Sequence, residues 1–236
     1  MEENSSGHHQ EGSTGLQKVV AFPAPQLLIF DLDGTLIDSK QDLIASVNAT
    51  RTYMALPELP GEVVASYVGN GAPVLIRRAM GTEASDHAVE SALEYFISHY
   101  HEHCLDATRL YPGAMDTLNA AREKGIRLAV LTNKPVRISN VILDGLGLEG
   151  VFFRVYGGNS FPAKKPDPIG IDTLRAETSA VAERTVMVGD SSVDIQTARN
   201  AGVYSVGLTY GLQPESLREV PPTLLLDRME DLIPHL

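Results

Sequence analysis

The chain changes its hydrophobic rhythm three times. Leu27 to Phe30 is an unbroken apolar run, LLIF, that leads straight into Asp31, Asp33 and Asp38 with short apolar spacers. Such a run predicts a strand buried on both faces. From about Ser39 to Arg109 the spacing becomes helical, in QDLIASVNATRTYMAL, APVLIRRAM and DHAVESALEYFISHYHEH, with Gly and Pro between the segments. Pro112 and Gly113 mark a break, a helix follows, and Gly125 ends it before a strand over Arg127 to Leu131. The pattern then alternates. A helix is expected over about Val136 to Leu146, a short strand near Val155, a helix over about Ile169 to Glu177 and a strand over Thr185 to Val188. A helix over Val193 to Ala201, the runs YSVGL and TLLLD, and a short last helix complete the chain.

Strands alternating with helices predict an α/β fold with a Rossmann-like parallel sheet covered by helices on both faces. The helical block is an insertion after the first strand. The expected division is a polar N-terminal extension over 1–25, a core of 26–38 and 110–236, and a helical subdomain over 39–109. The extension, MEENSSGHHQEGSTGLQKVVAFPAP, has neither the basic start nor the apolar stretch of a signal peptide, and His8 and His9 read as a solvated tail.

Composition narrows the function classes. With 43% hydrophobic residues the 236-residue chain buries a substantial core. A formal net charge of −11 disfavours nucleic acid, which is held mainly by Lys and Arg, yet leaves room for a small phosphorylated metabolite bound by local cations. No apolar run is long enough to span a bilayer, so no membrane partner is expected. The one cysteine, Cys104, cannot form an internal disulfide, which fits a reducing cytoplasm.

Ligands of open α/β sheets sit at the carboxyl ends of the strands. Asp31 and Asp33 follow the first strand, Thr132 and Asn133 the second, Lys164 and Lys165 come after the third, and Asp190 and Asp194 follow the fourth. Residues two apart in extended chain face the same side, so Asp31 and Asp33 can address one site. Each pair of like charges at 4 Å costs on the order of 4 kcal/mol at an effective dielectric near 20. Some of these acids are therefore protonated, or a hard, oxygen-seeking cation such as Mg²⁺ lies among them. Thr132, Asn133 and Lys165 add the hydroxyl, amide and ammonium donors that a phosphoryl group needs on its equatorial oxygens.

The segments DLDGT, LTN, KKPDP and GDSSVD, in this order, resemble the four signature motifs of the haloacid dehalogenase superfamily of phosphotransferases, and the resemblance covers nearly the whole chain after about Gln26. It implies Asp31 as nucleophile, Asp33 as general acid/base, and Thr132 and Lys165 as holders of the phosphoryl group. It also implies Mg²⁺ bound by Asp31, the backbone carbonyl of Asp33, and Asp190, with Asp194 supporting the metal site. The helical block resembles the cap that members of this family insert after their first motif. A narrower resemblance, carried by VGNGAPVLIRRAM, YGGNSFPAKKPDP, SVGLTYG and RLYPGA, is to bacterial phosphoglycolate phosphatases. It implies hydrolysis of 2-phosphoglycolate to glycolate and phosphate through an aspartyl-phosphate. A β-phosphoglucomutase-like transferase and a pyrophosphatase or nucleotidase of the same superfamily share the motifs. A non-catalytic phosphate-binding scaffold has no use for both a nucleophile and an acid/base.

Outside the motifs, the Asn70–Gly71 turn is expected to close over the site, and Arg77 or Arg78 is placed to meet a substrate carboxylate, although each arginine taken singly reads as a surface residue. Lys164 and Asp38 are expected to be solvated and to cap or hinge the first helix, respectively. His99 and His103 share a helix face and lack further ligands at a spacing that completes a zinc site.

Overall fold

The computed structural model describes residues 22–236. His8, His9 and most of the expected extension lie outside them.

Among the described residues, eight strands and eight α-helices alternate much as the apolar pattern predicts. The order is β1 (Leu27–Phe30), β2 (Ile37–Asp38), α1 (Lys40–Tyr53), α2 (Gly61–Ser66), α3 (Ala72–Met80), α4 (Asp86–His103) and β3 (Arg109–Leu110). Then come α5 (Ala114–Glu123), β4 (Arg127–Leu131), α6 (Val136–Gly145), β5 (Arg154–Tyr156), α7 (Ile169–Thr178), β6 (Thr185–Gly189), α8 (Ser192–Asn200), β7 (Tyr204–Leu208) and β8 (Leu224–Leu226). The expected final helix is a 3₁₀ turn over Met229–His235, with Pro234 inside it. Proline supplies no N–H for an α-helical ladder.

Six strands form one parallel sheet in the order β5-β4-β1-β6-β7-β8. All four residues of β1 are fully buried because it lies mid-sheet and both its faces are covered. The two-residue period divides them: Leu28 and Phe30 join the larger core with α5 and α6, while Leu27 and Ile29 join Ile171 and Leu174 of α7 on the other face. Renumbered along the chain, the sheet order reads 3-2-1-4-5-6. Its direction reverses between β1 and β6, and chains leaving those two strands diverge and open a crevice at their carboxyl ends.

The helical block α1–α4 enters and leaves through an antiparallel ribbon, β2 with β3, which the sequence pattern did not reveal because each strand has only two residues. Asp38 lies in that ribbon, and its Oδ1 accepts from Lys40 N at 3.2 Å, so it caps the entry to α1. A second tie lies one helical turn on. Asp42, almost fully buried, accepts from the N–H groups of Ala107 (2.9 Å) and Thr108 (2.8 Å) and from the Thr108 hydroxyl (2.7 Å). One carboxylate thus pins the outgoing chain to the returning one.

Asp42→Ala orphans those donors, and each buried orphan costs about 1–3 kcal/mol. A urea titration is expected to show a loss of about 3 kcal/mol or more, with Asp42→Asn losing less. A loss below about 1 kcal/mol for the alanine variant would show that the two chains are held by other contacts.

Candidate active site

The crevice between β1 and β6 holds most of the residues picked out in the sequence. Asp31 leaves β1 with its N–H donated to Val188 O at 2.9 Å, which fixes it to the neighbouring strand. Its Oδ1 lies 2.9 Å from Lys165 Nζ yet has no aligned hydrogen-bond donor. Burial pushes its carboxyl up to about 6, Lys165 opposing and Asp194 adding to the rise.

Lys165 is buried between two acids, 2.6 Å from Asp194 Oδ1 and 2.9 Å from Asp31 Oδ1. Burial alone would lower its pKa; Asp194 and then Asp31 outweigh it and hold the ammonium charged. Asp194 is fully occupied. Its Oδ2 accepts from Ser191 N (3.1 Å) and Ser191 Oγ (2.7 Å), closing a capping box at the start of α8 while Oδ1 holds Lys165.

Asp190, at the end of β6, accepts from Thr35 Oγ1 at 3.1 Å and from the backbone N–H of Leu212 at 2.7 Å. Burial, then Asp194, then Asp31 push its carboxyl up to about 8. Glycine surrounds it. A Cβ at Gly34, which has φ +83°, or at Gly211 would overlap the carboxylate.

The carboxylates of Asp31, Asp190 and Asp194 each have an oxygen within 4.8 Å of the others. The fourth acid, Asp33, turns away from this group. Its Oδ1 accepts from Ser39 Oγ (2.5 Å), and both its oxygens pair with Lys134 Nζ (2.7 and 3.0 Å). Four carboxylates against the ammonium groups of Lys134 and Lys165 leave two negative charges at this rim. The all-oxygen donor set, the Asp31 Oδ1 without an aligned hydrogen-bond donor and the glycine cradle around Asp190 suit a hard divalent cation. Asp194 is bound to the Lys165 ammonium and to its capping box, whereas Asp190 holds only neutral donors, so Asp31 and Asp190 are the carboxylates suited to reach such an ion, with Asp194 orienting Lys165.

Lys134 was missed in the sequence. Its side chain is 5% exposed, and besides Asp33 it reaches Tyr100 Oη at 2.8 Å, from α4. Burial would lower its pKa, but Asp33 and then Tyr100 hold it above the usual lysine value. The available signal was its place directly after Thr132 and Asn133, between two rim residues and Pro135.

Asn133 donates from Nδ2 to Gly69 O (2.9 Å) and Lys165 O (3.1 Å), tying the Lys165 loop to the α2–α3 turn. Lys164, exposed as expected, donates to Asn70 O at 2.5 Å, and Gln213 donates to Val68 O. Gly71, at φ +82°, sits so close to Asn133 O that a Cβ there would lie 3.0 Å from it. The turn at Asn70–Gly71 therefore rests on the rim through carbonyls that accept from three sheet-side residues. Beneath it a cavity of about 360 Å³ is lined by Asp31, Asp33, Thr132 and Lys134, and by apolar side chains from the helices. Thr132 Oγ1 accepts from Lys134 N at 3.2 Å, which steadies the loop.

Arg77 does not reach this cavity. It donates to Ala84 O at 3.2 Å and pairs with Asp86, since its place on α3 turns it toward the start of α4. The His99 and His103 rings are 4.4 Å apart, but each is otherwise engaged, His99 Nδ1 with Ser46 Oγ (3.1 Å) and His103 Nδ1 with Asp106 Oδ2 (2.8 Å).

The profile of the haloacid dehalogenase-like hydrolase family matches residues 28–208. The chain belongs to that family. Among the relatives of this hydrolase, the phosphoglycolate phosphatase of Pseudomonas putida is 37% identical over 227 residues, covering 94% of this chain and 83% of its own. The phosphoglycolate phosphatase of Haemophilus influenzae is 38% identical over 216 residues, 88% of this chain and 96% of its own. A crystal structure from Haemophilus somnus, described as a predicted phosphoglycolate phosphatase, matches with a TM-score of 0.85 at 33% identity over 89% of this chain and 97% of that one. The α/β fold and the phosphatase class expected from the motifs are thus borne out. No helix of the described residues is long and apolar enough to cross a membrane.

The raised carboxyls of this hydrolase give metal-free protein an inverted pH dependence. Unfolded, Asp31 and Asp190 ionise near 3.8, whereas folded they keep their protons to about 6 and about 8. The folded state binds more protons between those limits, so the contribution of these groups to stability falls as pH rises from about 4 to about 8. In EDTA, the wild-type melting temperature is expected to drop further than that of Asp190→Asn on going from pH 5 to pH 8. Saturating Mg²⁺, used as the probe, is expected to raise it more at pH 8 than at pH 5. An equal rise at both would show that the ion does not displace these protons.

Proposed function

We propose that the enzyme is a Mg²⁺-dependent phosphomonoesterase that works through an aspartyl-phosphate on Asp31 and converts 2-phosphoglycolate to glycolate and phosphate. The observation that carries the reading is the pairing, at one sheet edge, of a buried carboxylate (Asp31), whose Oδ1 has no aligned hydrogen-bond donor, with a buried ammonium 2.9 Å from that oxygen (Lys165). An anionic phosphoryl group entering beside Asp31 meets Lys165 and the Thr132 hydroxyl, which offset its charge. The substrate assignment is supported by the relatives named phosphoglycolate phosphatase at 37–38% identity.

In the first step Asp31 attacks phosphorus in line, the bond to the ester oxygen breaks, and Asp33 delivers a proton to the departing alkoxide. In the second, Asp33 takes a proton from water, the water oxygen attacks phosphorus, and the bond to Asp31 breaks to release phosphate. Asp31 and Asp190, with the backbone carbonyl of Asp33, would hold Mg²⁺, whose charge offsets the repulsion between carboxylate and phosphate. The block 39–109 serves as a cap, and its Asn70–Gly71 turn excludes water from the first step. Asp33 stands at the junction, within hydrogen-bond reach of Ser39 at the cap's entrance and of Lys134 on the sheet side.

Phosphate release from 2-phosphoglycolate, β-glucose 1-phosphate, pyrophosphate, a nucleoside monophosphate and p-nitrophenyl phosphate tests the reading. Strong preference for 2-phosphoglycolate, abolished by EDTA and by Asp31→Asn, is expected. Metal-dependent turnover that favours another ester would keep the chemistry and remove the substrate, and unchanged activity in Asp31→Asn would remove the nucleophile. Asp33→Asn is expected to lower kcat by about 10²–10⁴-fold. With p-nitrophenyl phosphate, whose leaving group needs no proton, that variant should still show a burst of nitrophenolate before a slow steady state. A burst-free loss would place Asp33 outside the second step.

A further inference from the structure

Lys134 holds a position that the proposed chemistry does not use. Its ammonium is buried at the sheet-side end of the cavity, bonded to both oxygens of Asp33 and to Tyr100 Oη, and it lies 4.6 Å from the centre of the Tyr100 ring. A lysine has three N–H donors, and these three contacts use them all. The same contacts leave Asp33 accepting from an ammonium and from the Ser39 hydroxyl, so an ester oxygen that reaches Asp33 must take the place of one of them.

The rest of the cavity narrows what can relieve that pairing. Lys165 is committed to Asp31 and Asp194 at the phosphoryl end. The helix-side wall beyond Asp33 carries the apolar Leu43, Val68, Leu75 and Phe96, with Glu102 exposed and His101 half-buried on α4, and Arg137 is exposed. An ester anchored at Asp31 that carries a second anionic group near its scissile oxygen has one buried cation to meet, Lys134. In 2-phosphoglycolate the carboxylate carbon is two bonds from the oxygen that Asp33 must protonate. A donor already bonded to Asp33 is therefore within reach of that carboxylate.

We propose that Lys134 is the receptor for the substrate carboxylate, and that binding draws its ammonium from Asp33 onto the substrate, which leaves the Asp33 carboxyl free to meet the scissile ester oxygen. Tyr100 holds the ammonium in place during the exchange and brings α4 into substrate recognition. The inference rests on the phosphatase reading above and names the group that selects among phosphoesters.

The test compares two esters that differ in one group, 2-phosphoglycolate and 2-hydroxyethyl phosphate, with Mg²⁺ present. In wild type, kcat/KM is expected to favour the carboxylate. Lys134→Met is expected to reduce that preference by about 10- to 100-fold, the value of one charge-assisted hydrogen bond, through a raised KM for 2-phosphoglycolate. Lys134→Arg should restore part of it, and should carry the comparison if the methionine variant does not fold. A purely structural lysine would lower both esters alike and leave their ratio unchanged; that result overturns the proposal while keeping the phosphatase. Wild type that hydrolyses neither ester overturns the phosphoglycolate reading and this inference with it. Wild type that hydrolyses both equally, with a ratio indifferent to Lys134, overturns the receptor alone.

Discussion

Excess negative charge at the carboxyl edge of the sheet is the constraint on which the site depends. Four acids and two ammonium groups share a rim from which water is largely excluded, and two negative charges remain. Burial of unpaired charge is costly enough that a protein neutralises it by proton or by cation. Asp190, pushed up to about 8, shows the proton solution in the absence of an ion. The same excess makes the rim a place for a divalent cation and, once that is bound, for a phosphate.

The fold supplies the means of assembling these groups. Asp31 and Asp190 follow neighbouring strands at the point where the sheet order reverses, so the chains beyond them separate and leave the carboxylates facing a crevice. Lys165 arrives from the loop before α7 and is locked by Asp194 at the first turn of α8. At this end of the crevice each group is thereby held by backbone or by an oppositely charged neighbour. The helical block is held more locally, by the β2–β3 ribbon, the Asp42 clasp and the carbonyls of residues 68–70. Of these, the Asp42 clasp is buried, whereas the carbonyl contacts of residues 68–70 are part-buried or exposed.

The sequence made the acids of the rim readable because they follow apolar runs directly, and a strand's end is a local property. Asp31, Thr132, Lys165, Asp190 and Asp194 could be placed on one edge from the alternation of strands and helices alone. Arg77 could not. Helical spacing gives the face on which a residue lies but not what that face meets, and Asp86 on the next helix takes its guanidinium. Lys164 is exposed, as expected, but the acceptor it finds, Asn70 O, is 94 residues away and could not be read from the pattern.

What the sequence by itself determined was the order of elements, the chemistry at the ends of the strands and the family. These depend on short-range periodicity and on residue types adjacent in the chain. Tertiary structure alone decided the partners of the charged groups. Lys134 was one more polar residue in a loop until folding buried it beside Asp33 and Tyr100, and Asp42 was an ordinary helix acid until the return chain brought two N–H groups onto it. The physical reason is that buried charge takes its meaning from its neighbours, and neighbours 34 to 101 residues apart are chosen by packing rather than by pattern.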